Sequence, residues 1–361
     1  MHLCDGEVEP LDEAAPSTRG VRSGVLSPPV AQTETMKSQL LHIETPLIES
    51  DPLARSLEGR VWLKMEGLQP SGSFKLRGIG HACQTHLSEG AKRLLSSSGG
   101  NAGIAVAYCG RKLGVPVTVV VPETTSQRAI EVIAQEQAEV IVQGSTWQEA
   151  HRYALELRQP GTVYIHPFDD PLLWQGHGTI IDEVRERGLV PDVVVLSVGG
   201  GGLLCGVIEG LHRNKMAHVP IVAVETEGAD SLSSSLRAGR HVEIEAIRSI
   251  ATSLGAKKVA KAAYEWCSQH EVVSHVVSDR AAVDACLRFS RDHRLLVEPA
   301  CGASLAAVYD PIDVLMDRRD ILVIVCGGAG VTMSQLEAWD QSLDKEPLPG
   351  DRGTAALNRG G

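Results

Sequence analysis

From about residue 39 to residue 343 the chain alternates short apolar runs with longer stretches of helical period. The runs Arg93–Ser97, Val117–Val121, Val140–Val142, Val193–Val198, Ile221–Glu225 and Ile321–Cys326 are rich in β-branched residues and alternate little between apolar and polar. That is the pattern of strands buried on both faces. Apolar residues at three- and four-residue spacing follow most of them and predict helices over Asn101–Leu113, Gln127–Gln135, Leu203–His212 and Ala281–Asp292. Strands and helices in this order predict an α/β fold, mostly parallel sheet covered by helices. Residues 1–38 and 344–361 carry Pro, Gly, Ser and acids without an apolar period, and the sequence predicts disorder there.

Three predicted strands run into glycine-rich turns: Ser96–Asn101 (SSSGGN), Ser197–Gly202 (SVGGGG) and Cys326–Gly330 (CGGAG). Open α/β sheets bind ligands at such strand ends. Four glycines in a row, Gly199, Gly200, Gly201 and Gly202, let several N–H groups, with that of Leu203, converge at a helix start. That arrangement favours a phosphate, whereas an empty strand-to-helix turn needs fewer glycines. GxxxxGK[ST] is absent, so a P-loop nucleotide site is not expected, and GxGxxG fits only with wrong spacing, which rejects the dinucleotide fingerprint.

Lys75 lies behind the turn Pro70–Phe74 at a helix start. Unpaired N–H groups and partial burial there would depress its pKa, as a Schiff-base nucleophile requires, although a solvated lysine is the ordinary alternative. Its neighbour Phe74 is one of three phenylalanines and offers a flat ring for an aromatic cofactor. Asn101 reads either as a helix N-cap or as a hydrogen-bond partner for a cofactor oxygen. Cys326 is either a plain apolar thiol or one facing a heterocyclic nitrogen. Taken together, a reactive lysine, a phosphate cradle, an amide and a thiol at strand ends describe one ligand, pyridoxal 5′-phosphate (PLP).

Composition narrows the partners. The formal net charge is −11 and no basic run occurs, which argues against nucleic acid and anionic membranes. No apolar stretch approaches the ~20 residues of a spanning helix. The eight cysteines form no CxxC and no zinc spacing, and the N-terminus lacks a signal-peptide pattern, so a reduced cytosolic compartment is expected.

An ordered set of motifs covers about Leu41–Gln341: Thr45–Leu47 (TPL), Gln69–Gly80 (QPSGSFKLRGIG), Ser98–Gly103 (SGGNAG), Leu113–Pro122 (LGVPVTVVVP), His166–Leu172 (HPFDDPL), Trp174–His177 (WQGH), Leu196–Gly206 (LSVGGGGLLCG), Val297–Ala303 (VEPACGA) and Val323–Gly328 (VIVCGG). With them the chain resembles the serine/threonine dehydratases of the two-domain tryptophan-synthase-β (type II PLP) fold, specifically the liver-type L-serine dehydratases and their serine dehydratase-like paralogues. The resemblance implies a small domain, 69–170, inserted between two parts of a large PLP-binding domain, 39–68 and 171–343. It implies an amino-acid substrate, conversion of L-serine to pyruvate and of L-threonine to 2-oxobutyrate with release of ammonia, and a homodimer.

Position by position, the resemblance makes Lys75 the Schiff-base lysine, with Phe74 on one ring face. It gives Asn101 the phenolic oxygen, Gly199–Leu203 the phosphate and Cys326 the ring nitrogen. Ser98, with Gly99, Gly100 and Asn101, would take the substrate carboxylate, and Phe168 would lie near the substrate. Glu225, Ala229 and Ser231, with the carbonyls of Leu254 and Ala256, would bind a monovalent cation such as K+. Racemases of this fold carry serine where this chain has Gly99, so racemisation is expected to be poor. The paralogues share this glycine, and the missing methyl leaves catalytic strength open. In the residues after the catalytic region no regulatory domain of the biosynthetic threonine-dehydratase kind is expected. Lys75, Asn101 and Gly199–Gly202 suit a cysteine-synthase-type β-replacement enzyme or a PLP-binding protein of little turnover equally well. Cys326 and His166–Leu172 favour a dehydratase.

Overall fold

The computed structural model describes residues 40–343, so the leader and tail expected to be disordered lie outside the described residues. Among the described residues ten strands form two sheets. They are β1 (Leu47–Glu49), β2 (Arg60–Lys64), β3 (Arg93–Ser96), β4 (Val117–Val121), β5 (Glu139–Val142), β6 (Thr162–Tyr164), β7 (Val193–Ser197), β8 (Ile221–Thr226), β9 (Val272–Val277) and β10 (Asp320–Ile324). The larger sheet has the order β1-β2-β10-β7-β8-β9 and the smaller β5-β4-β3-β6. Among the described residues the β1–β2 strand pair alone is antiparallel. The reading of an α/β fold with mostly parallel sheets therefore holds.

Order places the chemistry. β10 lies between β2 and β7, with Ile321 level with both Val61 and Val193. The turn at Cys326 and the glycine turn after Ser197 thus leave adjacent strands at the same sheet edge. Every residue of β7 and β8 is buried, as the unalternating apolar runs require. The helix Pro299–Tyr309 is buried along its whole length and packs against β7, β8 and the helix Asp279–His293. A helix that is apolar all round is a core helix.

Four strands were not read from the sequence. β1 and β6 are three residues long. β9 interrupts its valines with Ser274 and His275 and sits at a sheet edge, half-buried. β2 begins and ends in a cation, Arg60 and Lys64, and Lys64 is buried nonetheless. Its ammonium bonds Glu183 and, at 2.7 Å, the carbonyl of Thr45. Beside it, fully buried Arg77 bonds Glu66 at 2.6 and 2.8 Å and Glu183 at 2.6 and 2.7 Å. Two cations and two carboxylates make a neutral network, which is how such groups survive burial. It ties the helix beginning at Lys75 to β2 and to the helix Pro171–Glu186.

Candidate active site

Lys75 opens the helix Lys75–Ser88, and two backbone bonds fix that opening to the turn after β10. The amide of Phe74 donates to the carbonyl of Cys326 at 3.1 Å, and that of Gly328 to the carbonyl of Gly72 at 2.8 Å. Lys75 Nζ donates to the carbonyl of Pro167 at 2.8 Å and lies 5.0 Å from the Phe74 ring centroid. Burial pushes its pKa from the ordinary 10.5 down to about 8, against the pull of Cys326 and Glu298. The depression expected from the sequence is present, and burial is its main cause.

The Phe74 ring packs on that of His177, with centroids 4.9 Å apart. His177 is fully buried, its Nδ1 accepts from the amide of Gly78 at 3.2 Å, and its Nε2 has no partner among the described residues. Burial, with Lys75 and Arg77 nearby, holds it neutral. The sequence showed WQGH only as part of a motif; its histidine is a core group behind Phe74.

The glycine turn joins β7 to the helix Gly202–Arg213, with Gly201 at φ +88°. Among the described residues, none of the amides from Gly199 to Leu203 has an acceptor. A Cβ on Gly200 would fall 2.1 Å from the Phe168 ring, and one on Gly202 would fall 2.6 Å from the Phe168 carbonyl oxygen. Phe168, expected near the substrate, thus lies against the glycine turn. Its amide donates to His166 Nδ1 at 3.2 Å and its carbonyl accepts from Trp174 Nε1 at 2.9 Å.

Asn101 is not the N-cap: Gly100 is, and Asn101 is the first helical residue. Its side chain turns away from the helix end, because two stronger partners lie across the cleft. Oδ1 accepts from the amide of Ala329 at 3.0 Å and Nδ2 donates to Glu298 Oε1 at 2.7 Å. Ser98 Oγ accepts from the amide of Gly100 at 3.3 Å, while the amides of Gly99, Asn101 and Ala102 have no acceptor among the described residues. A Cβ on Gly100 would meet open space, whereas one on Gly99 would fall 2.7 Å from the Thr125 side chain.

Cys326 is buried. The Cys301 thiol beside it and its own burial push its pKa well up, so it is a neutral thiol. Glu298, which nothing in the motif VEPACGA marks as a site group, is a buried carboxylate at the centre of the site. Burial pushes its pKa up, against Ser253, Asn101 and the Gly330 amide. A buried carboxylate with polar company is what could have singled it out, but one sequence carries no sign of burial for a lone glutamate ahead of a proline.

Of the residues expected to hold a cation, Glu225 accepts from the amides of Leu232 at 2.9 Å and Ser233 at 2.7 Å. It therefore closes the start of the helix Ser231–Ala238, and burial raises its pKa to about 7. Ala229 follows in the same turn, its amide bonded to the carbonyl of Thr226 at 2.9 Å. Ser231 Oγ is buried, with no partner among the described residues. Leu254 and Ala256 belong to a separate turn, where the Leu254 carbonyl already accepts from Ala256 at 2.7 Å. Among the described residues no cluster of three or more His, Cys, Asp or Glu side chains is arranged for a metal ion.

Unpaired amides in a turn where a Cβ would collide, beside a buried low-pKa amine, fit PLP. Residues 39–327 match the family of pyridoxal-phosphate dependent enzymes, and the chain belongs to that family. It is 48% identical over 317 residues to a mouse protein named serine dehydratase-like, covering 85% of this chain and 96% of the relative. It is 44% identical over 319 residues to human L-serine dehydratase/L-threonine deaminase, covering 85% and 97%. The crystal structure of a fungal L-serine ammonia-lyase from Rhizomucor miehei superposes with a TM-score of 0.79 at 38% identity, covering 84% of this chain and 99% of that one.

Proposed function

We propose that the chain is an L-serine/L-threonine ammonia-lyase that eliminates water from the substrate and releases ammonia and a keto acid. What carries this is the 44–48% identity, over 85% of the chain, to relatives named serine dehydratase-like and L-serine dehydratase/L-threonine deaminase; the Lys75 amine, enclosed, held by Pro167 and depressed to about pKa 8, is the group that such chemistry needs. PLP, when bound, supplies an electron sink for the charge left at the substrate's α-carbon. The protein's own part is binding, orientation and proton transfer. The Lys75 amine, with a pKa of about 8, would hold the cofactor and would be the base at hand for the substrate's α-proton. The amides Gly199–Leu203 would hold the phosphate at a helix start, Asn101 would meet the phenolic oxygen, and the neutral Cys326 thiol would face the ring nitrogen without placing a full charge there. Ser98 and the amides of Gly99, Gly100 and Asn101 bind the substrate carboxylate. Phe168 borders both cofactor and substrate.

Residues 69–170 form the small domain of this reading, closing over the cleft to exclude water. For a monovalent cation, K+ above all, the unpartnered Ser231 hydroxyl and buried Glu225 are the support. A homodimer rests on the resemblance to the dehydratases. A reduced, cytosolic setting is consistent with the seven described cysteines all being free.

The test mixes purified protein and PLP with L-serine or L-threonine and follows pyruvate and 2-oxobutyrate, with Lys75→Ala as control and KCl against choline chloride for the cation. Keto acid from the wild type and none from the variant is the expected result. A PLP absorbance band without keto acid would overturn the lyase and favour β-replacement or a binding protein.

A further inference from the structure

Glu298 has no part in the chemistry above, yet three separate turns converge on it. It is the N-cap residue of the helix Pro299–Tyr309, but its side chain does not cap that helix. Its main-chain carbonyl serves there instead, accepting from the amides of Cys301 at 2.8 Å and Gly302 at 2.9 Å. That leaves the carboxylate free to reach into the site. A Cβ on Gly328, at φ +131°, would fall 2.1 Å from the Glu298 carboxyl carbon. The second glycine of the CGG turn therefore makes the space that Glu298 fills.

What the carboxylate does there is set by Asn101. The carboxamide is gripped at both ends, Oδ1 by the amide of Ala329 at 3.0 Å and Nδ2 by Glu298 Oε1 at 2.7 Å. Both bonds can form in only one of the two flip states, because the flipped amide would set donor against donor and oxygen against oxygen. The second Nδ2 hydrogen has only Ser253 Oγ at 3.4 Å, beyond the ordinary range of a hydrogen bond. We infer that Glu298 is a positioning residue, locking the Asn101 carboxamide so that its second N–H is presented to the phenolic oxygen of PLP. This rests on the role proposed for Asn101. A carboxylate suits the place better than an amide, since either of its oxygens can accept from the Asn101 Nδ2 group, whichever way the carboxyl turns. A glutamine there would replace one of two acceptor oxygens by a donor.

The test measures PLP dissociation constants by equilibrium titration of the apo-proteins, with apo melting temperatures alongside. N101A and E298Q are each expected to weaken PLP about tenfold, the scale of a hydrogen bond to a charged or well-oriented partner. The double variant should be no weaker than N101A alone, since Glu298 acts through Asn101. Wild-type affinity in E298Q, or losses that multiply in the double variant, would overturn the inference while leaving the role of Asn101 standing. Wild-type affinity in N101A would remove that role and the inference together. Should E298Q fail to fold, N101D/E298Q keeps the contact with its polarity reversed, glutamine now donating. That pair is expected to melt like the wild-type apo-protein yet bind PLP no better than N101A, and wild-type affinity in it would overturn the inference.

Discussion

The amide of Phe74 donates to the carbonyl of Cys326 at 3.1 Å, and this bond carries the lysine to the cofactor site. Lys75 is the next residue, so its position depends on the turn Cys326–Gly330. The turn can approach so closely because Gly327, at φ +86°, has no Cβ: one would fall 2.4 Å from Gly67 Cα and 2.5 Å from the Gly72 carbonyl oxygen.

Gly327→Ala is therefore expected to cost about 1–3 kcal/mol from backbone strain alone, with a further cost from the collision. The displaced turn would also misplace Lys75, so PLP uptake should fall more than stability does. Urea unfolding of the apo-protein and PLP titration read the two separately. Unchanged values in both would show that the turn yields freely.

Lys75 links the site to pH. Its proton is held less tightly in the folded chain, with a pKa of about 8 against the ordinary 10.5. Between those two values the unfolded chain binds more protons, so the contribution of Lys75 to stability is unfavourable below about pH 8 and recovers as pH rises. Lys75→Met gives up the bond to Pro167 but removes that penalty. We expect the apo variant to gain on the wild type by about 1–3 kcal/mol at pH 7, and the gap to narrow through the window up to 10.5. Urea midpoints at a series of pH values check this. A gap independent of pH would contradict the buried-amine reading.

The buried network behind the lysine helix sets a contrast of magnitudes. Glu66→Gln leaves Arg77 short of a charged partner in the interior, a change of about 3–5 kcal/mol. Glu44 pairs with Arg187 at 2.6 Å, but both are exposed, and Glu44→Gln should cost at most about 1 kcal/mol. Thermal melts of the two variants side by side decide it. Equal losses would mean that water reaches Arg77.

The sequence made the core strands and the ligand turns legible for a physical reason. Parallel strands buried on both faces must be apolar throughout, and turns that bare their amides must be rich in glycine. β7 with Gly199–Gly202 shows both. Edge strands such as β9, and β2 with its buried Lys64, follow neither rule, because their burial depends on partners far along the chain. Asn101 shows the same limit: its position at a helix start was visible, but its bonds to Ala329 and Glu298 came from two other turns. Glu298 and His177 were invisible as site groups because only packing distinguishes a buried Glu or His from a solvated one.

The glycine turn gives the last prediction. The Phe168 main chain is held, by His166 Nδ1 at its amide and by Trp174 at its carbonyl, so the backbone cannot simply carry the ring away when Gly200 gains a side chain. A Cβ there would lie 2.1 Å from the ring carbon, and the turn, with its row of unpaired amides, must give way instead. Gly200→Ala should weaken PLP binding at least about tenfold, the loss of roughly one charge-assisted hydrogen bond to phosphate. Phe168→Ala removes the obstacle, so Gly200→Ala/Phe168→Ala should bind PLP more tightly than Gly200→Ala alone, a coupling a double-mutant cycle reads directly. Affinity in the double variant as low as in Gly200→Ala would mean that the ring is not what the glycine accommodates, and the alanine methyl would then be acting on the phosphate itself.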